Sequence, residues 1–219
     1  MAQNAIRETL EHEIVDVCQR LHTKGMLAAA DGNVSAVFEN EILITPTGRS
    51  KARVAPSEMA ALTRTGEILR GSPSGERLMH LAVYRQCAKA KAVVHAHPPA
   101  AIAWSIAYPE LLELPAHAMS ELILATGRIP IAPYARPGTA EMGSVLESLL
   151  PKHRVIILGR HGAISWGEDL EEAYNGMERL EHAALILKYA KELGQITDLP
   201  KTEIDALFEI RKKLGDRTL

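Results

Sequence analysis

His95-Ala96-His97 closes the apolar run Ala92-Val93-Val94. Alternate residues of a β-strand point the same way, so a strand over 92–97 projects both imidazoles from one face of a rigid element. Two neutral imidazoles at that spacing are a common grip on a divalent transition metal. With nine His in 219 residues, chance alone gives some H-x-H pair about one time in three, so the pair needs a partner. His161 supplies one, because it follows the strand-like run Val155-Ile156-Ile157-Leu158 and precedes Gly162. Two His from one strand end and one from another can occupy three corners of a tetrahedron. The fourth corner then stays open for water or substrate, which is the pattern of a catalytic ion rather than a structural one.

The rest of the chain restricts what this group can serve. A length of 219 residues fits a single domain over 1–219 with one sizeable core. Net charge is −2, from 25 Lys+Arg and 27 Asp+Glu, with no basic block and few aromatic residues. That composition offers nucleic acid neither an electrostatic groove nor a stacking platform. No apolar run reaches the length of a membrane span, and the first residues pattern as an amphipathic helix rather than a signal peptide. Cys18 and Cys87 lie far apart within helix-like stretches and read as reduced, buried thiols of a cytoplasmic protein.

Ile6, Leu10, Ile14, Val17, Cys18 and Leu21 recur at helical spacing, and Gly25 is placed to end that helix. Two strands, 34–38 and 41–45, flank Glu39-Asn40 as a hairpin. A helix is expected from Ser74 or Gly75 to about 88, then the strand 92–97, then a helix over 98–107. Further on, 129–134 reads as a strand, 138–150 as a helix, and 153–159 and 163–166 as strands. Asp169 and Glu172 form an acidic capping box for a long helix to about 193, and a last helix covers about 202–214. Strands and helices intermix without a glycine-rich nucleotide loop, so the fold class is α/β, a sheet layered with helices.

Glu76 stands at a helix start just upstream of the His pair. It has two readings: a first-turn carboxylate favoured by the helix dipole, or a general base beside a Lewis acid, as enolisation requires. In a closed site its carboxyl would be pushed upward. Exposed N–H groups at Ser74 and Gly75 would suit a phosphate at that helix start. Asp31-Gly32-Asn33-Val34-Ser35 and Thr45-Pro46-Thr47-Gly48 are either turn punctuation or further donors to the same oxyanion. His12, His22, His80, His153 and His182 read as surface or helix-packing residues, and His117 is open between packing and substrate contact.

The motifs GNVS (32–35), ITPTG (44–48), PSGE (73–76), AVVHAHP (92–98), IAPYARPGT (131–139) and RHGAISWG (160–167) occur in this order and spacing. In this the chain resembles the class II aldolase/adducin-head family over about residues 10–195, closest in pattern to its fuculose-1-phosphate aldolases. The resemblance implies an αβα sandwich with a central, mostly antiparallel sheet, and a fourfold homotetramer with active sites between subunits. It implies His95, His97 and His161 as ligands of one Zn2+ per subunit and Glu76 as the catalytic carboxylate. Asn33, Thr47, Gly48, Ser74 and Gly75 match its phosphate-binding positions. The implied reaction is reversible cleavage of a 1-phosphoketose to dihydroxyacetone phosphate and an aldehyde.

Several positions depart from the fuculose pattern. Met119 stands for a proton-donating Tyr, Pro137 for a Phe, Gly75 for a phosphate-binding Ser, and Leu214 falls about where a C-terminal Tyr would lie. Met119 and Pro137 therefore predict an apolar aldehyde pocket that accepts a deoxy or alkylthio tail better than a hydroxylated one. Tyr134, Glu121 and a polarised water are left as proton donors to the aldehyde oxygen. Other activities of the family are weaker matches. The ribulose-phosphate 4-epimerases need an acid where this chain has Ile123, and the methylthioribulose-phosphate dehydratases a Glu where it has Met119. A silent adducin-like interaction module would have no reason to keep three ligands and Glu76. A cupin would need an all-β roll, which the long helices exclude.

Overall fold

The computed structural model describes residues 2–150, 152–215, 217 and 218. Eight strands form one sheet: β1 (Asn33–Phe38), β2 (Glu41–Ile44), β3 (Ala60–Thr63), β4 (Ile68–Arg70), β5 (Ala92–Ala96), β6 (Ile131–Ala132), β7 (Val155–Leu158) and β8 (Gly162–Gly167). Their order is β4-β3-β2-β1-β5-β8-β7-β6, and every pairing is antiparallel except β6 with β7. The expected mostly antiparallel αβα sandwich is therefore what the chain forms.

Strand alternation divides the core in two. Val34, Ala36, Val94 and Ala96 point to one side, where α1 (Ala2–Thr23), α3 (Pro99–Ala107) and α6 (Leu170–Leu193) cover them. Val93, Ile156, Ile164 and Trp166 point to the other, covered by α2 (Arg77–Gln86) and the one-turn helix α5 (Glu141–Ser144). Because Asn33, Ser35 and His95 sit at the alternate positions, they share the α2 side of the sheet. Cys18 and Cys87 are free and buried. Burial pushes their thiols up to about 12 and about 11, so neither is a nucleophile at neutral pH.

Three carboxylates hold helix ends, of which Glu172 and Glu181 are buried. Asp169 accepts from the Glu172 N–H at 2.7 Å, as the capping reading requires, but Glu172 accepts from Glu168 N–H rather than from the cap residue. Glu172 also pairs with buried Arg154 at 3.0 Å. Glu181 on α6 accepts the Ala100 and Ala101 N–H groups at 2.9 and 3.1 Å, and so caps α3, whose own N-cap, Pro98, has no side-chain donor or acceptor.

Some boundaries differ from the sequence reading. Helix α2 begins at Arg77, two to three residues late, because the backbone of Ser74 is taken by a neighbouring loop. The expected helix over 138–150 reduces to Glu141–Ser144 followed by turns, as Gly138 and Gly143 weaken helix propagation. Strands β3 and β4 and the short helices α4 (Ser120–Ala125) and α7 (Lys201–Lys213) complete the elements. The first three of these carry too few residues to show a period, whereas α7 matches its expected range.

Candidate active site

Sheet register assembles the site. Asn33 of β1 lies directly opposite His95 of β5, and Ile164 of β8 opposes His95 on the other side. The β7–β8 hairpin turn carries His161, with Arg160 in a left-handed conformation at φ 60°. Ser105 of α3 braces that turn by accepting the Arg160 N–H at 2.8 Å. Gly32 has φ 66°, and a Cβ there would lie 2.7 Å from the His95 carbonyl oxygen. Only glycine lets that loop pass so close to the strand.

The three histidines converge as the spacing predicted. One ring nitrogen from each of His95, His97 and His161 lies within 4.8 Å of the others, and the ring centroids are 5.0–5.1 Å apart. His95 Nδ1 faces the Ala163 carbonyl at 2.9 Å. A carbonyl only accepts, so Nδ1 carries the proton and Nε2 turns inward. His97 Nδ1 faces Asp31 at 3.4 Å and repeats the arrangement more loosely. Its Nε2 then meets His95 Nε2 at 3.3 Å. Burial and the neighbouring His95 and His161 depress His97 to about 4, so it is neutral at pH 7.

Two inward ring nitrogens so close need a positive charge between them, whether a proton or a metal ion. A tetrahedral ion with bonds of about 2.0–2.1 Å has ligand–ligand edges of about 3.3–3.4 Å. The His95–His97 distance matches that edge, and a ring nitrogen of His161 lies within 4.8 Å of theirs. The donor set therefore fits a small divalent ion.

Glu76 is the N-cap residue of α2 and completes the group. Its oxygens lie 3.2 Å from His95 Nε2 and 3.2 Å from His161 Nε2. The corner expected to be open is thus fronted by a carboxylate. Burial pushes the Glu76 carboxyl up, as expected, but a hydrogen bond from His161 and, when its ring carries a proton on both nitrogens in the absence of metal, the charge of His95, with help from Asn33, outweigh it and hold the group well below the ordinary carboxylate range. The expected upward shift is reversed.

The residues expected to bind phosphate lie beside one another, though not all with the donors expected of them. Residues 45–47 and 72–74 pair as a short antiparallel ribbon through Thr47 N–H to Ser72 O at 3.0 Å and Ser74 N–H to Thr45 O at 3.2 Å. Ser74 is buried and its N–H is already engaged, so it offers a ligand its hydroxyl rather than the expected backbone donor. Thr47, Gly48 and Gly75 are exposed beside it. Asn33 is 1 % exposed and bonds to Glu76 at 2.9 Å and to His80. Its amide donates one N–H to the Glu76 carboxylate and keeps a second. Of the surface and helix-packing readings His80 takes the second: it is 1 % exposed and bonded at both ring nitrogens. Its i+4 position from Glu76 on α2 was the signal that could have found it.

Met119 is half-buried against the α1–α6 side of the core, while Pro137, Tyr134, Glu121 and Leu214 are exposed. His117 packs edge-on against Phe208 of α7 at 5.9 Å, as a helix-packing residue does. No helix among the described residues is long and apolar enough to cross a membrane.

Residues 12–187 match the family described as Class II Aldolase and Adducin N-terminal domain. A 3-oxo-tetronate 4-phosphate decarboxylase of Escherichia coli is 32 % identical over 189 residues, covering 83 % of this chain and 87 % of that protein. A 5-deoxy-D-ribulose 1-phosphate aldolase of Bacillus thuringiensis is 30 % identical, covering 89 % and 92 %. Among solved structures, the L-fuculose-1-phosphate aldolase of Thermus thermophilus superposes with a TM-score of 0.77 at 30 % identity, covering 87 % of this chain and 98 % of that one.

Proposed function

The chain belongs to the class II aldolase and adducin family, and from that premise we propose a metal-dependent lyase that cleaves a 1-phosphoketose to dihydroxyacetone phosphate and an aldehyde. The observation that carries the reading is the Glu76 carboxylate held 3.2 Å from two of three converging imidazoles. A Zn2+ ion held by His95, His97 and His161 would supply Lewis-acid stabilisation of the negative charge that develops as the bond breaks. In the cleavage direction the carbon–carbon bond breaks and its electron pair stays on the dihydroxyacetone phosphate carbon. In this reading Glu76 delivers a proton to that carbon, and in condensation removes it. Thr47, Gly48, Ser74 and Gly75, with the spare Asn33 N–H, hold the phosphate.

The aldehyde pocket is the part with a competing reading. Retro-aldol cleavage needs a group to take the hydroxyl proton at the leaving carbon; Met119 cannot, so Tyr134, Glu121 or a water must receive it. Loss of CO2 from a 3-oxo acid phosphate leaves the same electron pair on the same carbon and needs no such group. This favours decarboxylation as the second reading, in line with the name of the Escherichia coli relative. In the aldolase reading, Met119 and Pro137, assigned to the aldehyde pocket by the family resemblance rather than by packing within this chain, favour a 5-deoxy or methylthio tail over a hydroxylated one, in line with the name of the Bacillus relative.

The test is a substrate panel read by reductive trapping of dihydroxyacetone phosphate, with CO2 and aldehyde measured in parallel. Release of aldehyde from 5-deoxyribulose 1-phosphate, abolished in Glu76→Gln with the metal retained, is the expected result. CO2 from 3-oxo-tetronate 4-phosphate alone selects the second reading. Loss of water from methylthioribulose 1-phosphate, or epimerisation of ribulose 5-phosphate, overturns both. We further assign the chain to a cytoplasmic homotetramer with sites between subunits. Leu112 and Leu193, 80 % and 90 % exposed, support burial against other copies. A fully active monomer in sedimentation equilibrium would overturn that assignment.

A further inference from the structure

Beneath Glu76, on the α2 side of the sheet, runs a line of buried polar groups. Asn33 Nδ2 lies 2.9 Å from Glu76 Oε2, and Asn33 Oδ1 lies 2.5 Å from His80 Nε2. His80 Nδ1 lies 2.7 Å from Ser35 Oγ, which lies 2.7 Å from the Tyr84 hydroxyl. Asn33, Ser35, His80 and Tyr84 are all buried.

The direction of every bond follows from one end. The Glu76 carboxylate only accepts, so Asn33 must present its NH2 there and its carbonyl oxygen to His80. His80 Nε2 therefore carries the ring proton. Burial, with His95 adding to it, holds the His80 imidazole down to about 3, so the ring is neutral and Nδ1 is an acceptor. Ser35 then donates its hydroxyl to Nδ1 and accepts from Tyr84. Each hydrogen in the line points toward Glu76. Flipping the Asn33 amide would set its oxygen against the carboxylate and its NH2 against the His80 N–H, leaving two repulsive contacts in a dry site.

We propose that His80 is a positioning residue: acting through Asn33, it fixes the Glu76 carboxylate in its pose against His95 and His161. The inference rests on reading Glu76 as the group that moves the substrate proton. It concerns orientation, since His80 is bonded to none of the three ligands and reaches Glu76 only through Asn33.

Two measurements test it. In metal-free protein labelled with 15N-histidine, two-bond 1H–15N correlations should show His80 as the Nε2–H tautomer. Ser35→Ala should disturb that tautomer; a protonated Nδ1 in the parent overturns the proposal. The second measurement is deuterium exchange of dihydroxyacetone phosphate in D2O by metal-loaded protein, with thermal unfolding as a check on folding. Glutamine places its amide where Nε2 lies, and asparagine where Nδ1 lies. His80→Gln, which keeps the donor to Asn33, should hold kcat within about fivefold, whereas His80→Asn should lose about 10–100-fold, with little change in KM. Equal losses in the two variants, or no loss in His80→Asn, overturn the inference and leave the proposed function standing. Absence of Glu76-dependent exchange in the parent removes the proposed function, and this inference with it.

Discussion

Gly162→Ala should weaken the metal site without touching a ligand. Gly162 opens β8 against the end of β5, and a Cβ there would meet Ala96 O at 2.5 Å, His97 Cδ2 at 2.9 Å and His95 Cε1 at 3.0 Å. Ordinary contact begins at 3.4 Å, so the strand must give about 0.9 Å (3.4 − 2.5) and the two rings about 0.5 and 0.4 Å. Overpacking of that kind costs about 1–3 kcal/mol. The ring displacements exceed the ±0.2 Å or so that metal–ligand distances tolerate, and an affinity loss of about 10–100-fold is expected, or about 1.4–2.8 kcal/mol. Urea unfolding of the metal-free variant measures the first quantity, and competition with a chromophoric chelator the second. Far-ultraviolet circular dichroism should not change. A variant that binds metal with parental affinity would refute the claim that backbone proximity at Gly162 sets the ligand geometry.

Three further outcomes are expected. Glu172→Gln strands Arg154, whose side chain is 7 % exposed, and should cost about 3 kcal/mol in urea unfolding; a cost under about 1 kcal/mol would show that Glu168 alone satisfies the guanidinium. Glu181→Ala uncovers the Ala100 and Ala101 N–H groups at the start of α3 and should cost about 1–2 kcal/mol, with amide hydrogen exchange accelerating first in 100–104. His80 is held down to about 3 when folded against about 6.5 unfolded, so the unfolded chain binds the extra proton and stability falls as pH drops through that window, by up to about 1.4 kcal/mol per unit. His80→Gln should flatten the fall between pH 6.5 and 4, and parallel curves for the two proteins would contradict the assignment.

Local rules sufficed for much of this protein. Apolar periodicity located α1, an acidic capping box located α6, a two-residue polar break located the β1–β2 hairpin, and H-x-H on a strand with a later His named a metal group. These signals survive in one dimension because each depends on neighbours a few residues away. The family resemblance added the sandwich and Glu76. Tertiary structure alone decided the rest. Asn33 became the partner of Glu76 because β1–β5 register sets it opposite His95, and register is a relation between residues 62 apart. Ser74 lost its free N–H to Thr45 for the same reason. The Glu76 carboxyl moved down rather than up because imidazoles from β5 and from the β7–β8 turn outweigh burial, and His80 packs inside because the sheet supplied Asn33 and Ser35 to satisfy both its ring nitrogens. Residue type and spacing fix which groups can meet; which atom carries the proton, and which way a carboxylate shifts, is fixed only by the partners that long-range pairing brings within hydrogen-bond distance.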